Sequence, residues 1–226
     1  MIYIQKAAFA YHRKITSYAN KHNIPVVYDI DDIPGAWQGM DEQWMLDRSN
    51  AVTVDTKERS LQISKMTKTP IYCVSACIDY FDDLIALRKQ DTSSQISTAV
   101  TFGWDFNCKN ASLYMDKLPD SIEKHYITNL PVLDHYVFHS WALDSFISTL
   151  AQFDCCVLAH DHTQDGQQKS NNRLIVSLAV GLPTIVSNTA SYAELYTLLG
   201  FEKLIAQSPS DVVDIVSYLN DNIDFR

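Results

Sequence analysis

Short β-rich runs alternate with helix-period stretches along almost the whole chain, and this alternation restricts the available folds more than any other feature. The runs, rich in Ile, Val and Tyr, fall at 2–5, 25–30, 51–55, 70–75, 98–103, 124–128, 155–159, 183–187 and 203–207. Between most of them the apolar spacing switches to the helical period, at 10–21, 56–66, 80–89, 111–117, 143–152, 171–180 and 191–199. A last helix is expected over 209–222, where Ser208 or Ser210 can cap and Asp211 complements the positive helix end. Strands that are apolar on both faces and separated by helices require a mostly parallel sheet covered on both sides, an α/β fold.

With 226 residues, 46% of them hydrophobic, the chain can bury one large core or two small ones. The polar, Pro-terminated stretch "KMTKTP" (65–70) separates a helix from a strand and suggests two domains, 1–68 and 69–226. The second holds enough strands for a complete doubly wound unit; the first is too small for one. Ligands of open α/β sheets lie beyond the carboxyl ends of the strands, so chemistry is expected in the loops after 98–103, 124–128, 155–159 and 183–187.

No apolar run reaches the roughly 20 residues that span a bilayer, and the start "MIYIQKAAFAYHRK" lacks a long apolar core with a cleavage site. A cytoplasmic protein without a transmembrane segment is therefore expected. A net charge of −9 disfavours broad attraction to nucleic acid or anionic membranes. His12, Arg13, Lys14 and Lys21 form the only early basic cluster. The five Cys make no even framework and mostly sit in apolar stretches, as small buried hydrophobes do.

One cationic stretch stands out in this acidic chain. In "QQKSNNR" (167–173), Lys169 and Arg173 share one face of a first helical turn if the helix begins near Ser170. Unsatisfied backbone N–H groups and the positive end of the macrodipole favour an anion there. A phosphate or diphosphate would be held by backbone amides, Ser170, and Asn171 or Asn172, with Lys169 as a point charge and Arg173 as a bidentate clamp. A solvated helix start with Arg173 paired to a carboxylate would have the same pattern.

Other polar clusters are less directed. Asp29, Asp31 and Asp32 in "YDIDDIPG" (28–35) suit a hard cation, a general base or an Asp-rich capping turn. The loop also resembles the nucleophile loop of haloacid-dehalogenase-like phosphatases, but Ile33 stands where a Thr is expected and no matching lysine and acidic loop follow. His160 and His162 lack a third metal ligand. His135 and His139 are spaced as on a helical face without the His-Glu-x-x-His arrangement, and their segment reads as loop and packing. No metal site is expected. Trp37, Trp44, Trp104 and Trp141 can line a sugar cleft or serve as core.

"KSNNRLIVSLAVGLPTIVSNTASYAEL" (169–195) resembles the donor-binding segment of GT-B glycosyltransferases, specifically bacterial members with a "KSN" stretch. In order around it, "VVYDIDDI" (26–33), "VTVDTKERSLQI" (52–63), "PIYCVSACID" (70–79) and "VTFGWDFN" (100–107) are similar to other segments of that family. The resemblance implies two Rossmann-like domains: a truncated acceptor-side one, and a complete donor domain whose last helix can pack back on the first. It implies transfer of a sugar from a nucleotide diphosphate sugar to a hydroxyl acceptor (glycan, small molecule or nucleic acid), leaning towards retention, with no cofactor or metal required. Lys169 and Arg173 would hold the diphosphate and stabilise the leaving group. Gly103 would let the backbone approach the phosphates, with Trp104 beside it; Thr128 and Asn129 would lie near the base. Ser191, Tyr192 and Glu194 match the "SYAE" turn, and one of Asp29, Asp31 and Asp32 would orient or deprotonate the acceptor.

Two departures qualify this. Gln168 and Val176 stand where relatives carry a pair of glutamates, the second of which grips the ribose. Met1 also falls at what resembles the middle of the acceptor domain, so a homo-oligomer or a partner subunit is expected to complete it. The alternative implied is a noncatalytic or partner-dependent subunit that keeps the anion site.

Overall fold

The computed structural model describes residues 1–31, 39–75 and 95–222. Asp32, Trp37, Cys77 and the helix expected over 80–89 lie outside the described residues. The chain divides into two compact units, residues 1–76 with 167–170, and residues 77–166 with 171–226.

The first unit runs β1 (Ile2–Gln5), α1 (Ala10–Lys21), β2 (Val26–Ile30), α2 (Glu42–Arg48), β3 (Ala51–Val54), α3 (Lys57–Ile63) and β4 (Ile71–Cys73). Its four strands are parallel and lie in chain order, β1-β2-β3-β4. In β2 the buried positions alternate, Val26, Tyr28 and Ile30 entering the core while Asp29 stays half-buried. Thr16 and Ala19 turn α1 onto its core. The start of α3 is capped by Thr56, whose Oγ1 accepts from the Arg59 amide at 3.2 Å. The sequence pattern does not suggest α2. It is seven residues long and buries only Met45 and Leu46, too little for a period to register; Asp41 starts it by accepting from the Trp44 amide at 3.1 Å. Pairing of β4 with β3 carries this sheet past the division expected after residue 68.

The second unit contains β5 (Thr98–Phe102), α4 (Asp105–Met115), β6 (Glu123–Thr128), β7 (Val137–Ser140), α5 (Phe146–Leu150), β8 (Cys155–Leu158), the single turn α6 (Gln164–Gln167), α7 (Asn172–Val180), β9 (Thr184–Ser187), α8 (Ala190–Leu199), β10 (Ile205–Ala206) and α9 (Val212–Asp221). Its six parallel strands follow the order β10-β9-β8-β5-β6-β7. Every residue of β8 and β9 is buried, as a sheet covered on both faces demands. The fold is therefore α/β, with two Rossmann-like parallel sheets. Within the segment of His135 and His139, Val137–Ser140 forms β7 rather than loop and pairs with β6 along its length, while His135 lies in the turn before it. Helix α4 starts well before the expected 111, directly after Trp104.

Before α9, Ser208 and Asp211 form a capping box. This last helix buries Val212, Ile215, Val216 and Leu219 in the second unit's core. Among the described residues, no helix is long and apolar enough to cross a membrane.

The strand order of the second sheet places its first strand, β5, in the middle. The chain adds β6 and β7 on one side, then returns to add β8, β9 and β10 on the other. The carboxyl ends of β5 and β8 therefore flank the point where the winding reverses, the place where neighbouring loops of an open α/β sheet diverge to leave a crevice.

Candidate functional site

The crevice starts at Gly103, which follows β5 with φ +130°, a conformation L side chains rarely adopt. A Cβ at this position would lie 3.0 Å from Asn107 Nδ2, 3.2 Å from Asn107 Cβ and 3.3 Å from Arg173 Cδ. The absence of a side chain thus lets α4 and Arg173 close on the end of β5. Asn107 is 7% exposed, and its Oδ1 is buried without a hydrogen-bond partner among the described residues. Opposite, at the end of β8, the His160 amide donates to Ser187 Oγ at 3.0 Å and ties β8 to β9.

Arg173 occupies the first turn of α7. Its Nη1 donates to the Phe102 carbonyl at 3.0 Å, and its Nη2 lies 3.0 Å from His160 Nε2. The Tyr192 hydroxyl, carried by α8, reaches the same imidazole nitrogen at 3.1 Å. Among the described residues no carboxylate pairs with this guanidinium. Its charge acts instead on neutral groups. Burial pushes the Cys108 thiol up to about 11, with Arg173 pulling the other way, and burial likewise raises the Tyr192 phenol against the same pull. A half-buried cation held only by neutral acceptors keeps its attraction for an anion.

Set against protein-family models and curated proteins, the chain matches none. The geometry at the switch point is what bears on function.

Of the residues expected from sequence, Gly103, Arg173 and Tyr192 come together here. Thr128 is buried at the end of the neighbouring β6, its carbonyl accepting from the Trp141 amide at 2.9 Å. Trp104 is 64% exposed beside Gly103, and Asn129, Asn172 and Glu194 are exposed. Ser191 is buried in the first turn of α8. Asn171 is the N-cap of α7 without a side-chain cap bond. Lys169 and Ser170 precede that helix and group with the first unit, so Lys169 and Arg173 do not share a helical face. The expectation failed because α7 begins at Asn172, not near Ser170.

Sequence reasoning missed His160 and Asn107 as parts of this site. His160 directly follows the apolar run 155–159, whose carboxyl end already pointed to a ligand; Asn107 stands four residues after Gly103, one helical turn on. His162 lies instead 3.4 Å from the Tyr114 hydroxyl, so the two histidines of "HDH" do not converge. His139 on β7 meets His125 on β6, with Nε2 3.1 Å from Nδ1. Among the described residues no three His, Cys, Asp or Glu side chains are grouped to hold a metal.

Of the two positions that would carry glutamates, one packs in the core and the other is engaged through its backbone. Val176 is 5% exposed in the second core. Gln168 is buried, and its carbonyl accepts from Thr56 Oγ1 and from Arg59 Nη2, each at 3.1 Å.

In the first unit the carboxylates are dispersed among separate tasks. Asp29 accepts from Thr53 Oγ1 at 2.5 Å within the sheet, and Asp31 pairs with Lys6 at 2.7 Å while its Oδ1 is buried without a hydrogen-bond partner among the described residues. Asp55, which follows β3 and carries no motif of its own, pairs with the fully buried Arg59. Burial pushes the Asp55 carboxyl above its usual range; Arg59 opposes this and the charge of Asp31 adds to it.

Proposed function

We propose that the second unit binds a nucleotide diphosphate sugar at the crevice between β5 and β8, and that the protein transfers the sugar to a hydroxyl acceptor as GT-B glycosyltransferases do. The observation carrying this reading is Arg173, a half-buried guanidinium in the first turn of a helix, beside a glycine without a Cβ, with only neutral partners among the described residues. A diphosphate supplies the missing counter-charge and accepts from the helix-start amides. Negative charge grows on the diphosphate as the glycosidic bond breaks, so a preorganised cation favours the transition state over the bound donor. Lys169, in the loop leading to α7, is the second cation assigned to the donor, and no metal is needed to neutralise it. The acceptor hydroxyl is assigned to the aspartates Asp29, Asp31 and Asp32.

A second reading is a noncatalytic or partner-dependent subunit that binds the nucleotide alone. Val176 favours it, since an apolar side chain packed into the core offers the ribose no carboxylate.

Calorimetry with uridine, guanosine, adenosine and thymidine diphosphates tests both. Binding of at least one is expected, and Arg173→Ala should weaken it by about 10- to 150-fold, the equivalent of about 1.5–3 kcal/mol for hydrogen bonds to a charged group, while sparing the nucleoside. No binding of any diphosphate refutes the donor site. Binding without hydrolysis or transfer of any donor sugar selects the second reading.

A further inference from the structure

Arg173 Nη2 rests against the imidazole of His160. A guanidinium carries only donors, so the His160 nitrogen 3.0 Å from Nη2 must present a lone pair. That nitrogen is Nε2; the same Nη2 also lies 3.4 Å from Nδ1. Tyr192 directs its hydroxyl to the same Nε2 at 3.1 Å. Nε2 has one lone pair, which the hydroxyl and the guanidinium share, and each donor placed there opposes its protonation. His160 is 6% exposed and Tyr192 fully buried, so water is a poor substitute for either. The histidine is fixed in turn by its amide bond to Ser187 and by the Tyr192 ring, 5.3 Å away between centroids.

We infer that His160 and Tyr192 are positioning residues: His160, neutral and protonated on Nδ1, holds the Arg173 guanidinium against the Phe102 carbonyl, and Tyr192 sets the tautomer that lets it do so. The resting arrangement stands on the distances alone; its use in gripping a diphosphate rests on the donor-site reading. The pair spends two guanidinium N–H groups on neutral acceptors and brings no negative charge to cancel the cation. A carboxylate in place of His160 would orient Arg173 equally well but would compete with the ligand.

The test begins on the whole protein without ligand, labelled with nitrogen-15. The His160 Nε2 is expected to resonate as an unprotonated acceptor, and the Arg173 guanidinium protons to exchange slowly. That slow exchange should persist in His160→Gln, which keeps an acceptor, and be lost in His160→Leu. Titration with uridine diphosphate, or whichever diphosphate binds best, follows. His160→Leu should lose about tenfold in affinity and His160→Gln less than about threefold, and His160→Leu added to Arg173→Ala should change nothing more. A proton on Nε2, unaltered Arg173 exchange in His160→Leu, or an equal loss in the Arg173→Ala background each overturns the inference. If His160→Leu does not fold, the tautomer in the unaltered protein and the His160→Gln exchange rates still decide. Expected resting signatures with no diphosphate bound would refute the donor site and support the positioning role.

Discussion

Replacing Gly103 by alanine tests whether the switch point needs the close approach described at the end of β5. Two costs add. A non-glycine residue at φ +130° occupies a sparsely populated conformation, at about 1–3 kcal/mol. The new methyl would also stand 3.2 Å from Asn107 Cβ, which cannot swing away because α4 fixes it, and 3.3 Å from Arg173 Cδ; such overpacking costs a further ~1–3 kcal/mol. Gly200→Ala supplies the control within the same unit. Its φ is +75° and nothing lies within 4 Å of the point where a Cβ would stand, so only a backbone cost of about 1–2 kcal/mol is expected. Native-state hydrogen exchange of the β5 amides reads the stability of this unit directly. Gly103→Ala should lower it by about 2–6 kcal/mol, more than Gly200→Ala does, and should weaken diphosphate binding because Arg173 is displaced. Equal losses in the two variants, with binding unchanged in Gly103→Ala, would refute the reasoning.

Arg59→Met should destabilise the first unit by up to about 3–5 kcal/mol in urea, because it strands the partly buried Asp55 carboxylate, and Asp55→Asn added to it should recover part of the loss. Val176→Glu, which installs the glutamate of the resembled family, should lower the melting temperature by burying an unpaired carboxylate and should not tighten nucleotide binding; tighter binding would show that the position faces the ligand. Bonds from the Ser208 hydroxyl and from the Ser208 and Gln207 amides depress the Asp211 carboxyl below its ordinary 3.8. The stabilisation this gives α9 is complete above that value and lost as pH falls through the lowered one, so amide exchange in α9 should quicken there in the native protein but not in Asp211→Asn.

The alternation of runs made the α/β class legible, and the reversal of winding falls between the loops after 98–103 and 155–159, which therefore carry the candidate site. Six runs were expected beyond residue 68 and the second sheet has six strands, yet the two sets differ. Ile71–Cys73 joins the first sheet, and Val137–Ser140 takes the place it leaves. Partnering is a tertiary property, invisible in a three-residue run, and β7 is short, half-exposed and interrupted by a histidine, so it carries little strand pattern. At the site, Arg173 and Gly103 were legible because charge and missing side chain are properties of single residues. Its tie to His160 was not, since it joins residues on a strand end and a helix that only the fold brings within 3.0 Å.

The central position of β5 also sets a timetable. During synthesis β6 and β7 can join one of its edges early, whereas its other neighbour, β8, emerges only after residue 154. Until then "TAVTF" has one edge unpaired in a nascent chain with no hairpin among its described ladders to close quickly. The strand that leads to Gly103 is therefore open to mispairing over this interval, and slowing translation between β7 and β8 should lower the yield of folded protein more than slowing it beyond β10.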